Sequence, residues 1–434
     1  MKRLQQRWTQ WIGALLAVFT VAVGTSSPVR QIWEFPARLA IIQGQRTVIP
    51  WSQFLPVTVS SSAPTMSVVR DVNHLALSSA YVGHYQLVLR WFGWLRWRGL
   101  PVDVIRPVSV VPGGESLGVL VHFKGLVISQ LMPVPVGPAD WRDPALQAGL
   151  EKGDVICAVD GMTASNVNVL THRVEIDGAT HHKVWLRVMG ARTLRNRWVT
   201  PVWSVVRHSY AIGVKVRERA SGVGTLTFYD PATGEFTALG HSMTDGLTRR
   251  PVNILRGYAT GADIVGIVPA TATEPGQKVG VLAGPANISG QVTANGEFGL
   301  IGHLNHAPIW GPREMLPVAL PNQVHPGPAQ MITVVHGERP EVFRIDILKA
   351  KYQSAPEIKG LIFRVTDSRL IRAAGGIVQG MSGSPIIQDG RLVGAVTHVL
   401  VNRPTLGFGC YAYWMATQPA FRSPSAGGQR VARD

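Results

Sequence analysis

The chain has 434 residues, with 42 Lys and Arg against 26 Asp and Glu, a formal charge of +16, 46 Gly, 30 Pro and two Cys. A hydrophobic fraction of 46% excludes global disorder. The Gly and Pro content argues against a helix bundle, and the length points to two or three domains. The basic residues are spread singly and no nucleic-acid-binding motif accompanies them, so the charge reads as attraction to an anionic membrane surface or as solubility, with no nucleic acid as partner. Two cysteines cannot build a CxxC site or a disulfide framework. Cys157 and Cys410 both lie in apolar runs and are expected to be buried thiols.

Residues 1–27 begin with Lys2, Arg3 and Arg7 and continue into the uncharged run Trp11 to Gly24. This is the pattern of an export signal, with the basic tip in the cytoplasm and the rest outside. A spanning helix needs roughly 17–25 residues, so a cleaved signal and an uncleaved anchor both remain open. Residues 28–104 read as a small β-rich region. Within it, Trp91, Trp94 and Trp97 interleave with Arg90, Arg96 and Arg98. That stretch reads as a strand with packed aromatics and snorkelling arginines, or as an interfacial membrane patch.

Residues 105–200 carry a glycine-rich turn, Pro112-Gly113-Gly114-Glu115-Ser116-Leu117-Gly118-Val119, running into a strand. The stretch from Pro144 to Gly161 reads as a short helix, a turn, a buried strand and a second turn. Its pattern A-x-x-A-G-L-x-x-G-D-x-I-x-x-V-x-G resembles PDZ domains. The resemblance implies capture of a peptide terminus by β-augmentation, with Leu117, Gly118 and Val119 lining the groove. A PDZ fold that packs on its neighbour and binds nothing specific is the other reading. Residues 201–422 show short apolar runs between Gly, Pro, Asn and Asp, which favours a barrel or sandwich. Residues 423–434 form a small, polar tail.

Two islands in that last domain carry chemistry. One is Gly240-His241-Ser242-Met243-Thr244-Asp245, and the other runs from Gly375 to Ile387 as GGIVQGMSGSPII. G-x-S-G-x-P is what a chymotrypsin-type nucleophile turn requires. Gly380 and Gly383 permit φ > 0, and the amides of Gly380 and Ser382 would face a tetrahedral oxyanion. Ser382 is preferred to Ser384 as nucleophile because the glycine spacing fits it. His241 lies upstream, in the order of chymotrypsin-type enzymes, and suits the general base. Asp367, Asp245 and Asp263 compete to orient the imidazole, and spacing alone does not choose among them. Thr397 and His398 are candidates for contact with substrate, or are a strand-end pair. His181, His182, His303 and His306 lack the acidic or cysteine neighbours of a metal site, so no metal or other cofactor is expected.

The export segment, the PDZ pattern, GHSMTD and GGIVQGMSGSPIIQDGRLVGAVTH together resemble the stage IV sporulation protein B (SpoIVB) peptidase family. The resemblance runs from the PDZ region to about Trp414. It implies a mainly β protein: a membrane or signal segment, a PDZ domain, and a chymotrypsin-like β-barrel serine peptidase. It also maps base, nucleophile and third member onto His241, Ser382 and Asp367. It further implies an endopeptidase exported across the forespore membrane that cleaves a membrane-bound regulator in the intermembrane space. That cut would trigger intramembrane processing and activation of the late mother-cell sigma factor, with cleavage of itself as well. A silent PDZ scaffold is the alternative class, but it need not retain His241 and the G-x-S-G-x-P turn. A protease of the high-temperature-requirement type would place the PDZ after the peptidase and read GNSGGP.

Overall fold

The computed structural model describes residues 38–51, 57–71, 73–190, 193–271, 274–282, 289–309, 314–351, 353, 355–400, 402–418 and 421. The apolar run at 11–24 and the tail from 423 lie outside these residues. Among the described residues no helix is long and apolar enough to cross a membrane. The chain divides into two compact units, one of residues up to Val108 with 320–323 and 351–356, the other of the remainder.

In the first unit, strands Leu39–Ile42, Leu95–Ile105, Gly83–Trp91 and Val57–Ser61 form one sheet, and Thr47–Pro50, His74–Ser79 and Met66–Arg70 a second. Alternation fixes the faces, because successive strand side chains point to opposite sides. Leu75 and Leu77, Leu87 and Leu89, and Leu100 and Val102 all point into one buried cluster.

The second unit contains two rings of antiparallel strands. In the first ring, Ser116–Leu131 pairs with Ile254–Val268, followed by Ser289–Gly296, Gly299–Leu304, Glu235–Leu239 and Val214–Tyr229, which pairs back onto Ser116–Leu131. The second is a closed barrel of Gly327–Thr333, Glu341–Ala350, Leu361–Val365, Arg403–Tyr411, Arg391–Leu400 and Pro385–Gln388. Closure leaves no unpaired edge within a ring. Each ring has its own core: Leu117, Val119, Val121, Leu226 and Phe236 in the first, Met331, Phe343, Ile345, Phe363 and Val396 in the second. The chain is mainly β and carries a β-barrel, as its run of short apolar segments suggests.

The segment read as PDZ has the expected local elements: helix Pro144–Gln147, strand Val155–Val159, and a turn with positive φ at Asp160 and Gly161. Helix Val167–Ala179 follows, its first turn capped by the Asn166 side chain, which accepts from Val169 N–H at 3.1 Å. Leu170, Val174 and Gly178 recur on its buried face. A β-carbon at Gly178 would lie 2.2 Å from the Tyr210 ring, so glycine is needed for that approach.

Two expectations are corrected here. No break separates residues 105–200 from 201–422, because the long strands Ser116–Leu131 and Val214–Tyr229 pair from Val214↔Leu131 to Thr225↔Ser116. Their outer ends serve the small module and their inner ends serve the first ring. Leu117, Gly118 and Val119 therefore offer no open strand edge to a peptide. They pair with Gly224, Val223 and Gly222 on one side and with Gly261, Thr260 and Ala259 on the other. With both edges occupied and Leu117 and Val119 buried, an added strand has nowhere to bond.

Cys157 is half-buried and Cys410 buried, both as free thiols. Burial pushes the Cys410 thiol up to about 12, which makes it inert.

Candidate active site

Ser382 and His241 line one cavity of about 510 Å³, together with Gly380, Thr397 and His398. His241 enters it from the end of strand Glu235–Leu239. Leu239 and Gly240 both take positive φ, at 74° and 70°, and turn the chain sharply. A β-carbon on Gly240 would lie 3.1 Å from Thr397 Cγ2 and 3.2 Å from the Val396 carbonyl, so the loop lies against strand Arg391–Leu400 only with glycine there. The loop beyond is clamped by Asn295. Its Oδ1 accepts from Met243 N–H at 2.8 Å, and its Nδ2 donates to the carbonyls of Met243 at 2.8 Å and Val252 at 2.9 Å.

His241 Nδ1 lies 2.9 Å from the Ser242 carbonyl. A carbonyl only accepts, so Nδ1 carries the proton and Nε2 keeps its lone pair. Burial lowers the His241 pKa, with the Ser242 carbonyl opposing in part, so the ring is neutral at physiological pH. The His398 ring stands 5.2 Å away, centroid to centroid. Burial first, then the charges of His241 and Lys359, push His398 down to about 4. Its Nδ1 is buried, with no hydrogen-bond partner among the described residues.

The nucleophile turn is held from both rings. Gly380 and Gly383 each have φ of 93°. A β-carbon on Gly383 would meet the Thr225 carbonyl at 2.2 Å, so only glycine fits. Met381 N–H donates to the Val378 carbonyl at 3.1 Å and Gly383 N–H to that of Val396 at 2.8 Å. Among the described residues the alternate amides, Gly380 and Ser382, have no protein acceptor. Thr225, wholly buried on the first ring, grips the turn twice: its Oγ1 donates to the Gly380 carbonyl at 2.8 Å, and its N–H to that of Ser382 at 3.0 Å. Strand Gln277–Leu282 flanks the turn, with Lys278 N–H donating to the Gln379 carbonyl at 2.9 Å. The Lys278 stem lies against Gly380, and its Nζ donates to Ser116 Oγ at 3.2 Å and Thr333 Oγ1 at 3.0 Å. Burial pushes Lys278 down to about 7. Thr225, Asn295 and Lys278 carried no sequence signal, because each sits singly inside a strand.

The Ser382 hydroxyl donates to the Thr397 carbonyl at 3.2 Å rather than to His241. Ser384 is fully buried, does not line the cavity, and among the described residues has no partner for its hydroxyl. Thr397 is 2% exposed, and its hydroxyl lies 3.2 Å from the carbonyls of Ile358 and Phe408. Thr397 lines the cavity with its hydroxyl committed to backbone.

Asp367 does not reach His241. It is the N-cap of helix Ser368–Ala374, accepts from Arg369 N–H at 2.9 Å, and pairs with the Arg369 guanidinium at 2.9 Å. It also accepts from Arg344 N–H at 3.3 Å. Thus the imidazole is oriented here by the Ser242 carbonyl, not by the expected carboxylate. Asp245 is likewise engaged, with Arg217 at 2.5 Å and the amides of Leu247 and Thr248. Asp263 sits opposite Val281 on strand Ile254–Val268 and does not line the cavity.

Arg369 holds the Asp367 carboxyl far below the usual carboxylate range. A depressed folded pKa gives stability that is present above the unfolded pKa and lost as pH falls through the folded one. Asp367→Asn is expected to cost roughly 1–2 kcal/mol at neutral pH, the scale of a lost cap and charged hydrogen bond. Thermal melts of both proteins should converge as pH falls below about 4. A constant difference across that range would refute the assignment.

Among the described residues no three His, Cys, Asp or Glu side chains are grouped to hold a metal ion. The family model described as SpoIVB peptidase S55 matches residues 208–416. No curated protein matches the chain. Among solved structures, the Rv3671c protease from M. tuberculosis in its active form is similar, with 16% identity over 46% of this chain and 73% of that one and a TM-score of 0.27. The inactive form of the same protease has 16% identity over 45% and 82%, with a TM-score of 0.26. The family match spans both His241 and Ser382, and the protein is a serine peptidase whose residues 208–416 match the SpoIVB peptidase S55 family.

Proposed function

We propose that the protein is an endopeptidase working by acyl transfer in a chymotrypsin-like double barrel. The observation that carries this is the meeting of Ser382, His241 and two unoccupied amides at one cavity. In the reaction the Ser382 hydroxyl turns from the Thr397 carbonyl to His241. It attacks the scissile carbonyl as Nε2 takes its proton, and the imidazolium returns that proton to the leaving amine. The amides of Gly380 and Ser382 receive the oxyanion. Water then repeats the sequence on the acyl-enzyme.

The rate should fall at low pH as His241 protonates. Burial places that limb of the kcat/KM profile below the ordinary histidine value of 6.5. A kcat/KM titration on a synthetic peptide spanning a site that the enzyme cuts in itself tests this, and a limb at or above 6.5 would contradict it.

His398 lines the cavity beside Thr397 and is a candidate for substrate contact. His398→Ala is expected to change the residues preferred beside the cut. An unchanged cleavage pattern in mass spectrometry would remove that role.

The resemblance to SpoIVB peptidases supports a wider reading. The chain is made in a forespore, exported by its basic and apolar N-terminus, and held on the membrane or released in the intermembrane space. There it cuts a membrane-bound regulator, and also itself, and so permits activation of the late mother-cell sigma factor. The PDZ-like module recruits peptide termini through a surface other than Leu117–Val119.

A further inference from the structure

The first unit exposes an aromatic hairpin tip that its fold does not use. Strands Gly83–Trp91 and Leu95–Ile105 are joined by Phe92, Gly93 and Trp94. Trp91 and Trp97 pack inward, their rings 5.4 Å apart, against the core of the unit. Phe92, Trp94 and Leu95 instead stand 69%, 75% and 50% exposed. Turn chemistry does not ask for them. Phe92 holds φ at 53°, a conformation that favours Asn, Asp or Gly and disfavours a bulky aromatic. The tip therefore places large apolar groups in water on a backbone that a polar turn would fit better.

The charge around the tip names the occupant. Arg90, Arg96 and Arg98 flank it, and no acidic residue occurs between 83 and 102. The first acid, Asp103, faces His84 at the opposite end of the hairpin and is paired with Arg38 and His84. Exposed Trp and Phe with adjacent arginines match the interface of an anionic bilayer, where the rings enter the headgroup zone and the guanidinium groups meet lipid phosphate. This hairpin also belongs to the unit entered directly by the chain that follows the apolar run 11–24.

We propose that residues 92–95 form a membrane-docking tip that seats the first unit on an anionic lipid surface. The tip rests on its own exposure and charge, not on the peptidase reading. It also does not require the run 11–24 to remain as an anchor.

The test must separate the tip from that run, so it reads a position and not binding alone. The full chain carrying Cys157→Ser and Trp94→Cys is labelled with an environment-sensitive fluorophore, Cys410 being buried and inert. A second chain carries the label at Val69→Cys, 49% exposed on strand Met66–Arg70 of the same unit. Both are mixed with phosphatidylcholine vesicles, with and without phosphatidylglycerol, containing acyl-chain spin-labelled lipid.

The label at 94 should shift to the blue and be quenched on the anionic vesicles, while that at 69 should stay in water. Adding Arg96→Glu should weaken the quenching about fivefold or more. Three results would overturn the proposal. The label at 94 stays unquenched on vesicle-bound protein, so the run 11–24 alone holds the chain. It is quenched equally on neutral vesicles. Or it shifts without vesicles as protein concentration rises, which would make the occupant a second copy.

Discussion

Ser382→Ala is expected to lower kcat by about 10⁶-fold and His241→Ala by about the same, while the double substitution costs little more. The reason lies in the proposed division of labour. The serine is a poor nucleophile without a base, and a base at His241 has no proton to take without the serine, so the pair acts as one device. Each single variant should keep the wild-type melting temperature within a few degrees. Among the described residues the Ser382 hydroxyl bonds the Thr397 carbonyl alone, and the His241 ring hydrogen-bonds its neighbour's carbonyl alone. Additive losses in the double variant would mean that the two side chains act separately, and unchanged turnover in either would exclude its role.

Thr225→Val should lower kcat by about 10²-fold with little change in KM. The substitution keeps the size of the side chain and removes the hydroxyl that donates to the Gly380 carbonyl. That peptide, whose own N–H is Met381's and bonds Val378, lies between the two peptides that carry the Gly380 and Ser382 amides, so loosening it disturbs the aim of the oxyanion donors, and losing one such donor costs roughly 10²–10³ in turnover. Stability should fall by only about 1–2 kcal/mol, the cost of one buried carbonyl left unpaired. Thr225→Ser retains the hydroxyl and should restore most of the rate. A normal kcat in Thr225→Val would show that the turn is held without this bond.

The turn that carries Ser382 and the sharp bend before His241 were legible in the sequence because glycine marks them. Gly380, Gly383 and Gly240 stand where positive φ or close backbone approach excludes other residues. The supports were not legible. Thr225 is one of several alternating polar positions on its strand, and only the ring topology brings it to the nucleophile turn, 155 positions from Gly380. Asp367 illustrates the opposite error. The family resemblance made it the catalytic carboxylate, yet Asp367 followed by SRLIRAA and then Gly375 is a capped helix written out locally. Gly375 closes that helix at φ 73°. The glycines near Leu117 misled in another way. They read as a peptide-binding turn, and the fold spends both strand edges on a closed ring. At the hairpin tip the interleaved Trp and Arg allowed two readings, and each describes a part of it: Trp91 and Trp97 pack, whereas Trp94 does not.

The central claim is that Ser382 is the activated nucleophile and His241 its base. The direct measurement is covalent labelling of the full chain with a fluorophosphonate, mapped by peptide mass spectrometry. The expected result is one adduct per chain, on Ser382, absent in His241→Ala and formed faster as pH rises through the His241 pKa. An adduct on Ser384, or labelling of Ser382 that proceeds equally without His241, would contradict the account.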